Sequence, residues 1–181
     1  MRQAKTAFPV DDSTFCSGFP PSIAPDCTHL ILGSMPSRAS LAAQQYYAHP
    51  QNRFWPLMAF LLTGAEAPPA KYEDRLRMLL EHHIALWDAI ETCERHGSLD
   101  ADIKKETGTD IPALLATYPG IRTICFNGGK AFQSFRKCHR ELLAQSDIRF
   151  CPLPSTSPAN ARWSMEMLRR EWGKALDDRT R

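Results

Sequence analysis

Neutral amides, hydroxyls and aromatic rings dominate the stretches of this chain that could do chemistry. The first is Gly33-Ser34-Met35-Pro36-Ser37 and its continuation to Tyr46-Tyr47-Ala48-His49-Pro50-Gln51-Asn52. The second is Asn127-Gly128-Gly129, and the third is Ser155-Thr156-Ser157-Pro158-Ala159-Asn160. No close His–carboxylate or Ser–His pairing is apparent in them, so they do not read as a nucleophilic triad. They carry no lysine, apart from Lys130 at the head of the helix that follows the second stretch. Small residues let a backbone approach phosphates closely, and amides can read a planar polar ligand. No GxGxxG follows the first apolar run and no GxxxxGK[ST] occurs anywhere, which disfavours ordinary dinucleotide and P-loop sites.

These stretches need a scaffold that brings them together. Each follows a short apolar run, at residues 28–34, 121–126 and 148–153, and a fourth such run lies at 84–87. Short apolar runs stopped by Gly, Pro, Ser or Asn read as buried parallel strands opening into loops. Helical patterns lie between them: 52 or 53 to 63, 72–83, 110–118 (Asp110 as N-cap and Pro112 in the first turn), 130–145 and 160–176. In the last, Trp163, Met167, Leu168 and Trp172 form the apolar stripe. The alternation predicts an α/β fold, a three-layer α/β/α sandwich around a central four-stranded parallel sheet. In such a sheet the first, third and fourth strands deliver their loops to one rim, where α/β folds place ligands. Residues 91–109 read as an irregular excursion, with 94–100 too polar for core. Residues 1–27 read as an extended arm on a single domain spanning 1–181.

Composition narrows the class. The chain has 181 residues, 43% hydrophobic and 23% charged, ordinary for a soluble globular protein with a real core. Its apolar runs are too short to span a membrane, and its first residues lack the apolar stretch of a secretory signal. A cytoplasmic location and a monomeric state are the expectations. The six cysteines include no CxxC pair, so buried reduced thiols are expected, with neither a metal nor another cofactor. Residues 130–181 carry 11 Lys/Arg against 6 Asp/Glu, and residues 1–129 carry 11 against 14. A basic C-terminal third suits an anionic partner, although solvated helix faces give the same count.

Taken in order, the pieces GSMPS, YYAHPQNRFW, LWD, FNG and LPSTSPAN are similar to the hypoxanthine-DNA (deoxyinosine) glycosylase family of the uracil-DNA glycosylase superfamily, over roughly residues 18–172. The resemblance implies a uracil-DNA glycosylase-like fold. It also implies hydrolysis of the N-glycosidic bond of deoxyinosine, with DNA containing a deaminated base as partner. Most of the superfamily has an Asp or Asn inside the first motif to position the attacking water; here Ser34-Met35-Pro36 stands there. Many uracil-excising members begin the second motif with His; here it is Leu153. Both departures turn the expectation from uracil toward a purine. Uracil or xanthine excision, or a non-catalytic DNA-binding module, are the alternative readings.

The same resemblance makes Asn52 the residue expected to position water. By residue type alone, Asn52 also fits an N-cap for the following helix, and one side-chain oxygen cannot serve both well. Tyr47, or Tyr46 in its place, stands where the family stacks a ring on the flipped base. Asn127 stands where an amide reads the base edge, with Gly33, Ser34 and Met35 completing the base pocket. Pro36, Ser37, Ser155, Thr156, Ser157, Pro158, Ala159 and Asn160 are the expected DNA contacts. His49 is expected to shape the turn before Pro50. Asp88 and Glu91 are expected to cap a helix or form a salt bridge. The absence of a lysine in the loops favours a monofunctional hydrolase without a Schiff-base step.

Overall fold

The structure is a computed structural model, and it describes residues 15–177. Its central sheet has four parallel strands: β2 (His29–Gly33), β3 (Ile84–Asp88), β6 (Thr123–Asn127) and β7 (Arg149–Leu153), in the order β3-β2-β6-β7. Every residue of β2 and β6 is buried, as expected for the interior strands of a sheet covered on both faces. Side chains alternate between the faces. Ile31, Leu86 and Cys125 meet α2 (Phe54–Thr63), α3 (Tyr72–Glu81) and α6 (Met165–Leu176) through Phe54, Leu57, Leu79 and Trp172. Leu30, Leu32, Ile124 and Phe126 meet α4 (Ile111–Thr117) and α5 (Gly129–Cys138) through Ile111, Leu114, Ala131 and Phe135. The three-layer sandwich expected from the alternation is present.

The register sets the working rim. Gly33 lies opposite Asp88, and Asn127 lies opposite Leu153, so all four strands stop together. Two glycines permit close packing there. A Cβ on Gly33 would stand 2.4 Å from Asp88 Oδ1, and one on Gly128 would stand 2.9 Å from the Ser155 Cβ. Gly128 also has a φ of +99°, a conformation open to glycine and strained for other residues.

A second sheet differs from the sequence expectation. The residues expected to be irregular contain β4 (Ile90–Glu94) and β5 (Lys104–Gly108), an antiparallel pair. β1 (Phe15–Ser17), from the segment expected to be an extended arm, completes this sheet in the order β1-β4-β5. Residues 1–14 of that arm lie outside the described residues. β5 reads KKETG, with no apolar alternation, and is held from its polar side: Glu106 accepts hydrogen bonds from Lys130, Lys137 and Ser134 of α5. The chain crosses between sheets at the rim, where Ala89 and Ile90 donate to the carbonyls of Gly33 and Ser34.

Smaller differences follow from local chemistry. The long loop after β2 contains α1 (Arg38–Ala43), capped by the Ser37 side chain. The segment expected as one helix from 130 to 145 breaks at His139, and 3-10 turns over Arg140–Ala144 replace its second half. α6 begins at Met165, five residues later than expected, because Ser164 caps it and residues 155–163 belong to the rim loop. Met167 points outward from it, 36% exposed. None of the six cysteines is in a disulfide; four are buried as expected, whereas Cys151 is half-buried and Cys138 exposed. Among the described residues no helix is long and apolar enough to cross a membrane.

Candidate active site

A cavity of about 460 Å³ opens at the rim where the parallel strands end. The turn after β2 forms one wall, with Gly33, Ser34, Met35, Pro36 and Ser37. Tyr47 and Asn52 come from the loop that leads to α2, and Asn127 from the end of β6. Ser155, Thr156, Ser157, Ala159 and Asn160 come from the loop after β7. Pro158 is exposed and does not line the cavity. Of the fourteen residues singled out from the sequence, the fold gathers all the rest.

One buried hydroxyl joins the loops. Thr156 Oγ1 donates to Asn52 Oδ1 at 2.9 Å and accepts from Asn127 Nδ2 at 3.0 Å. The Thr156 N–H donates back to Asn127 Oδ1 at 2.9 Å. Asn52 Oδ1 also accepts from the Phe54 N–H at 3.0 Å, at the head of α2. The Asn52 oxygen is thus held by a helix-end amide and a hydroxyl, and its Nδ2 group is the end left for a ligand or water. Beyond these bonds Asn127 has one further N–H and one lone pair, beside the Tyr47 hydroxyl. Thr156 has no exposed surface, so its position departs from the expectation that it meets DNA: it ties Asn52 to Asn127.

The β7 loop is clamped by a residue that the sequence reading passed over. The Arg53 guanidinium donates to the carbonyls of Thr156, Ser157, Asn160 and Trp163, and the Arg53 N–H donates to Thr156 O at 3.1 Å. One planar fork satisfying several carbonyls fixes an otherwise irregular loop. Its signal was the Asn-Arg pair directly before the apolar Phe54-Trp55 run. His49 Nδ1 accepts from the Gln51 N–H at 3.2 Å and shapes the turn as expected.

Tyr47 is half-buried, with a φ of +54°. Its ring stacks on Phe54 with centroids 3.9 Å apart and planes at 23°. Burial, then the Asp88 carboxyl, raises the pKa of its hydroxyl well above the usual phenol range, so it stays protonated. Tyr46 also borders the cavity but sits deeper: its hydroxyl donates to Pro20 O, and its carbonyl accepts from Trp55 Nε1.

The cavity also contains groups expected elsewhere. Ser98, Leu99 and Asp100 line it from the connection between β4 and β5. Ser34 Oγ donates to Asp100 Oδ1 at 2.6 Å, and Ser98 Oγ accepts from the Arg38 N–H. That connection is polar, as its composition implied, because it forms the cavity wall rather than core. Asp88 lines the cavity too, against the expectation of a cap or salt bridge. It is 4% exposed, its Oδ2 has no hydrogen-bond partner among the described residues, and Thr109 Oγ1 bonds to its carbonyl instead. Burial pushes the Asp88 carboxyl up to about 7, with Arg95 opposing the rise and Asp100 adding to it. Among the described residues no lysine lines the cavity, and Lys130 is turned away onto Glu106. No group of His, Cys, Asp and Glu among the described residues could hold a metal.

Comparison with known proteins agrees with this geometry. The model of the Uracil DNA glycosylase superfamily matches residues 20–178. The hypoxanthine DNA glycosylase of Methanosarcina acetivorans is 38% identical over 147 residues, covering 81% of this chain and 89% of that protein. The hypoxanthine DNA glycosylase of Methanosarcina barkeri is 33% identical over 159 residues, covering 88% and 96%. A solution NMR structure from Methanosarcina acetivorans, provisionally named a uracil DNA glycosylase, superposes with a TM-score of 0.76 at 36% identity, covering 90% of this chain and 96% of that one. With its sheet, its rim loops and these relatives in agreement, the chain belongs to the uracil DNA glycosylase superfamily and, within it, to the hypoxanthine DNA glycosylase family.

Proposed function

We propose that this protein is a monofunctional DNA glycosylase that hydrolyses the N-glycosidic bond of deoxyinosine, releasing hypoxanthine from DNA in base excision repair. The observation that carries this reading is the Asn52–Thr156–Asn127 network, which holds two amides at the edge of one cavity. The target base must leave the helix stack to reach such a cavity. Asn127, with one further N–H and one lone pair, matches the N1–H/O6 edge of hypoxanthine. Tyr47, backed by Phe54, offers its other face for stacking, worth roughly 1–3 kcal/mol per base. Asn52 contributes through its Nδ2 group, which holds water by orientation and not by taking its proton. Gly33, Ser34 and Met35 form the floor. Pro36, Ser37, Ser155, Ser157, Ala159 and Asn160 line the mouth toward the backbone of the flipped nucleotide. With no lysine at the cavity among the described residues, the product is an abasic site in an unbroken strand. A cytoplasmic monomer of one domain is the form in which we place this activity.

The test is mass-spectrometric identification of the base released from a deoxyinosine duplex, with the strand then analysed with and without alkali. Free hypoxanthine and a strand cut only after alkali are expected. A strand cut without alkali would overturn the monofunctional reading, and no released base would overturn the glycosylase reading. In the second case, retained DNA binding would favour a binding module.

A further inference from the structure

We infer that Asp88 accepts the proton of the attacking water, a role that rests on the hydrolysis proposed above and adds a base to the two neutral amides of the network. Two carboxylates line the cavity. Asp100 is exposed and engaged by Ser34 Oγ at 2.6 Å. Asp88 is buried at the end of β3, directly opposite Gly33, and its Oδ2 has no partner among the described residues. Its Oδ1 reaches over Gly33, where the missing side chain leaves the space: a Cβ there would stand 2.4 Å from Oδ1 and 3.1 Å from the Tyr47 hydroxyl. That hydroxyl is also buried, beside the Asn127 amide. A glycine thus opens the cavity floor to a carboxylate whose Oδ2 is uncommitted. Asn52 cannot take the proton, because its oxygen is held by Phe54 and Thr156 and a neutral amide is a poor base.

The surroundings set the basicity. Arg95, itself buried, faces Asp88 and favours the ionised form; Asp100 disfavours it. Tyr46, Tyr47 and Tyr72 lie within its field and are kept protonated by burial. Desolvation outweighs Arg95, and the carboxyl titrates at about 7. A base is most effective when its pKa is near the working pH. In the step, the water oxygen bonds to C1′ while its proton passes to the Asp88 carboxylate. The C1′–N9 bond breaks with its electron pair going to hypoxanthine. The purine anion is then protonated by solvent, and Asp88 releases its proton to solvent.

The experiment is single-turnover excision from a deoxyinosine duplex between pH 5.5 and 9, with Asp88→Asn beside the wild type. The wild-type rate is expected to rise about tenfold per pH unit below the Asp88 pKa and to level off above it, the Brønsted behaviour of a single base. Asp88→Asn should be about 10²- to 10⁴-fold slower, the usual contribution of such a base, with a flat profile. Its affinity for a duplex carrying an abasic analogue should stay near that of the wild type, which a merely structural role would not give. An Asp88→Asn enzyme with wild-type rate, or one retaining the rise with pH, overturns the inference. If Asp88→Asn does not fold, Asp88→Glu carries the test: a slower rate that still rises with pH supports the base, and a flat profile overturns it. A wild type that releases no hypoxanthine fails differently, because the function itself then falls.

Discussion

Replacing Thr156 by Val removes one hydroxyl and leaves the side-chain shape almost unchanged. Two hydrogen bonds go with it, Thr156 Oγ1 to Asn52 Oδ1 and Asn127 Nδ2 to Thr156 Oγ1. Asn127 is buried, so its orphaned N–H costs about 1–3 kcal/mol. Asn52 is half-buried and keeps the Phe54 N–H, so its loss lies near 1 kcal/mol. The combined loss of about 2–4 kcal/mol leaves a domain of ordinary stability folded. In a chain of this size it lowers Tm by roughly 4–16 °C. The kinetic effect should be larger, because a misplacement near 1 Å costs about 100-fold in rate. Thr156→Ser keeps the hydroxyl and the N–H and loses only a methyl group, so it should excise hypoxanthine at nearly the wild-type rate. The assay pairs thermal unfolding with single-turnover excision for both variants. Equal stability and equal rates in Thr156→Val and Thr156→Ser would refute the network as the device that holds the two amides.

Other expectations follow from the same packing. Gly33→Ala places a methyl 2.4 Å from Asp88 Oδ1, and overpacking of this kind costs about 1–3 kcal/mol; it should lower Tm and slow excision together, read by melting and single-turnover kinetics. The raised Asp88 pKa means that the folded state prefers the protonated form. The wild type should therefore lose stability as pH rises from the unfolded value of 3.8 to about 7, by an amount on the order of 4 kcal/mol, whereas Asp88→Asn should not. Urea unfolding at pH 5 and pH 8 should capture about 3 kcal/mol of it, since part is already lost by pH 5. Glu106 shows the opposite sign: burial raises its pKa, but Lys130, Lys137 and Ser134 outweigh it and hold the carboxyl below its ordinary 4.5. Its stabilisation is present above that value and lost as pH falls below it, so Glu106→Gln should be less stable than the wild type at pH 7 and should show less further loss in acid.

The parts of this protein legible in its sequence are those where one physical signal acts alone. Short apolar runs located all four parallel strands, most clearly β2 and β6, which as interior strands have no solvent face to break the run. The antiparallel sheet was not legible. Lys104–Gly108 is held by charges from α5, and Phe15–Ser17 has a single buried residue, so neither shows the alternation that marks a half-buried strand. In the site, the motif loops identified the residues near the cavity but not their division of labour. Thr156 looked like any hydroxyl in a Ser/Pro loop, and only the fold reveals that it is buried between two amides. Asp88, the last residue of LWD, read as a helix cap or salt-bridge partner. Its character depends on sitting opposite Gly33, a relation that exists only once β2 and β3 are in register.

The central claim is that the rim cavity excises hypoxanthine. Its most direct measurement is single-turnover release of free base from otherwise identical duplexes carrying deoxyinosine, deoxyuridine or deoxyxanthosine. Fastest release from deoxyinosine, strongly reduced by Asn127→Ala, is the expected result. Faster release of uracil or xanthine, or unchanged release by Asn127→Ala, would contradict it.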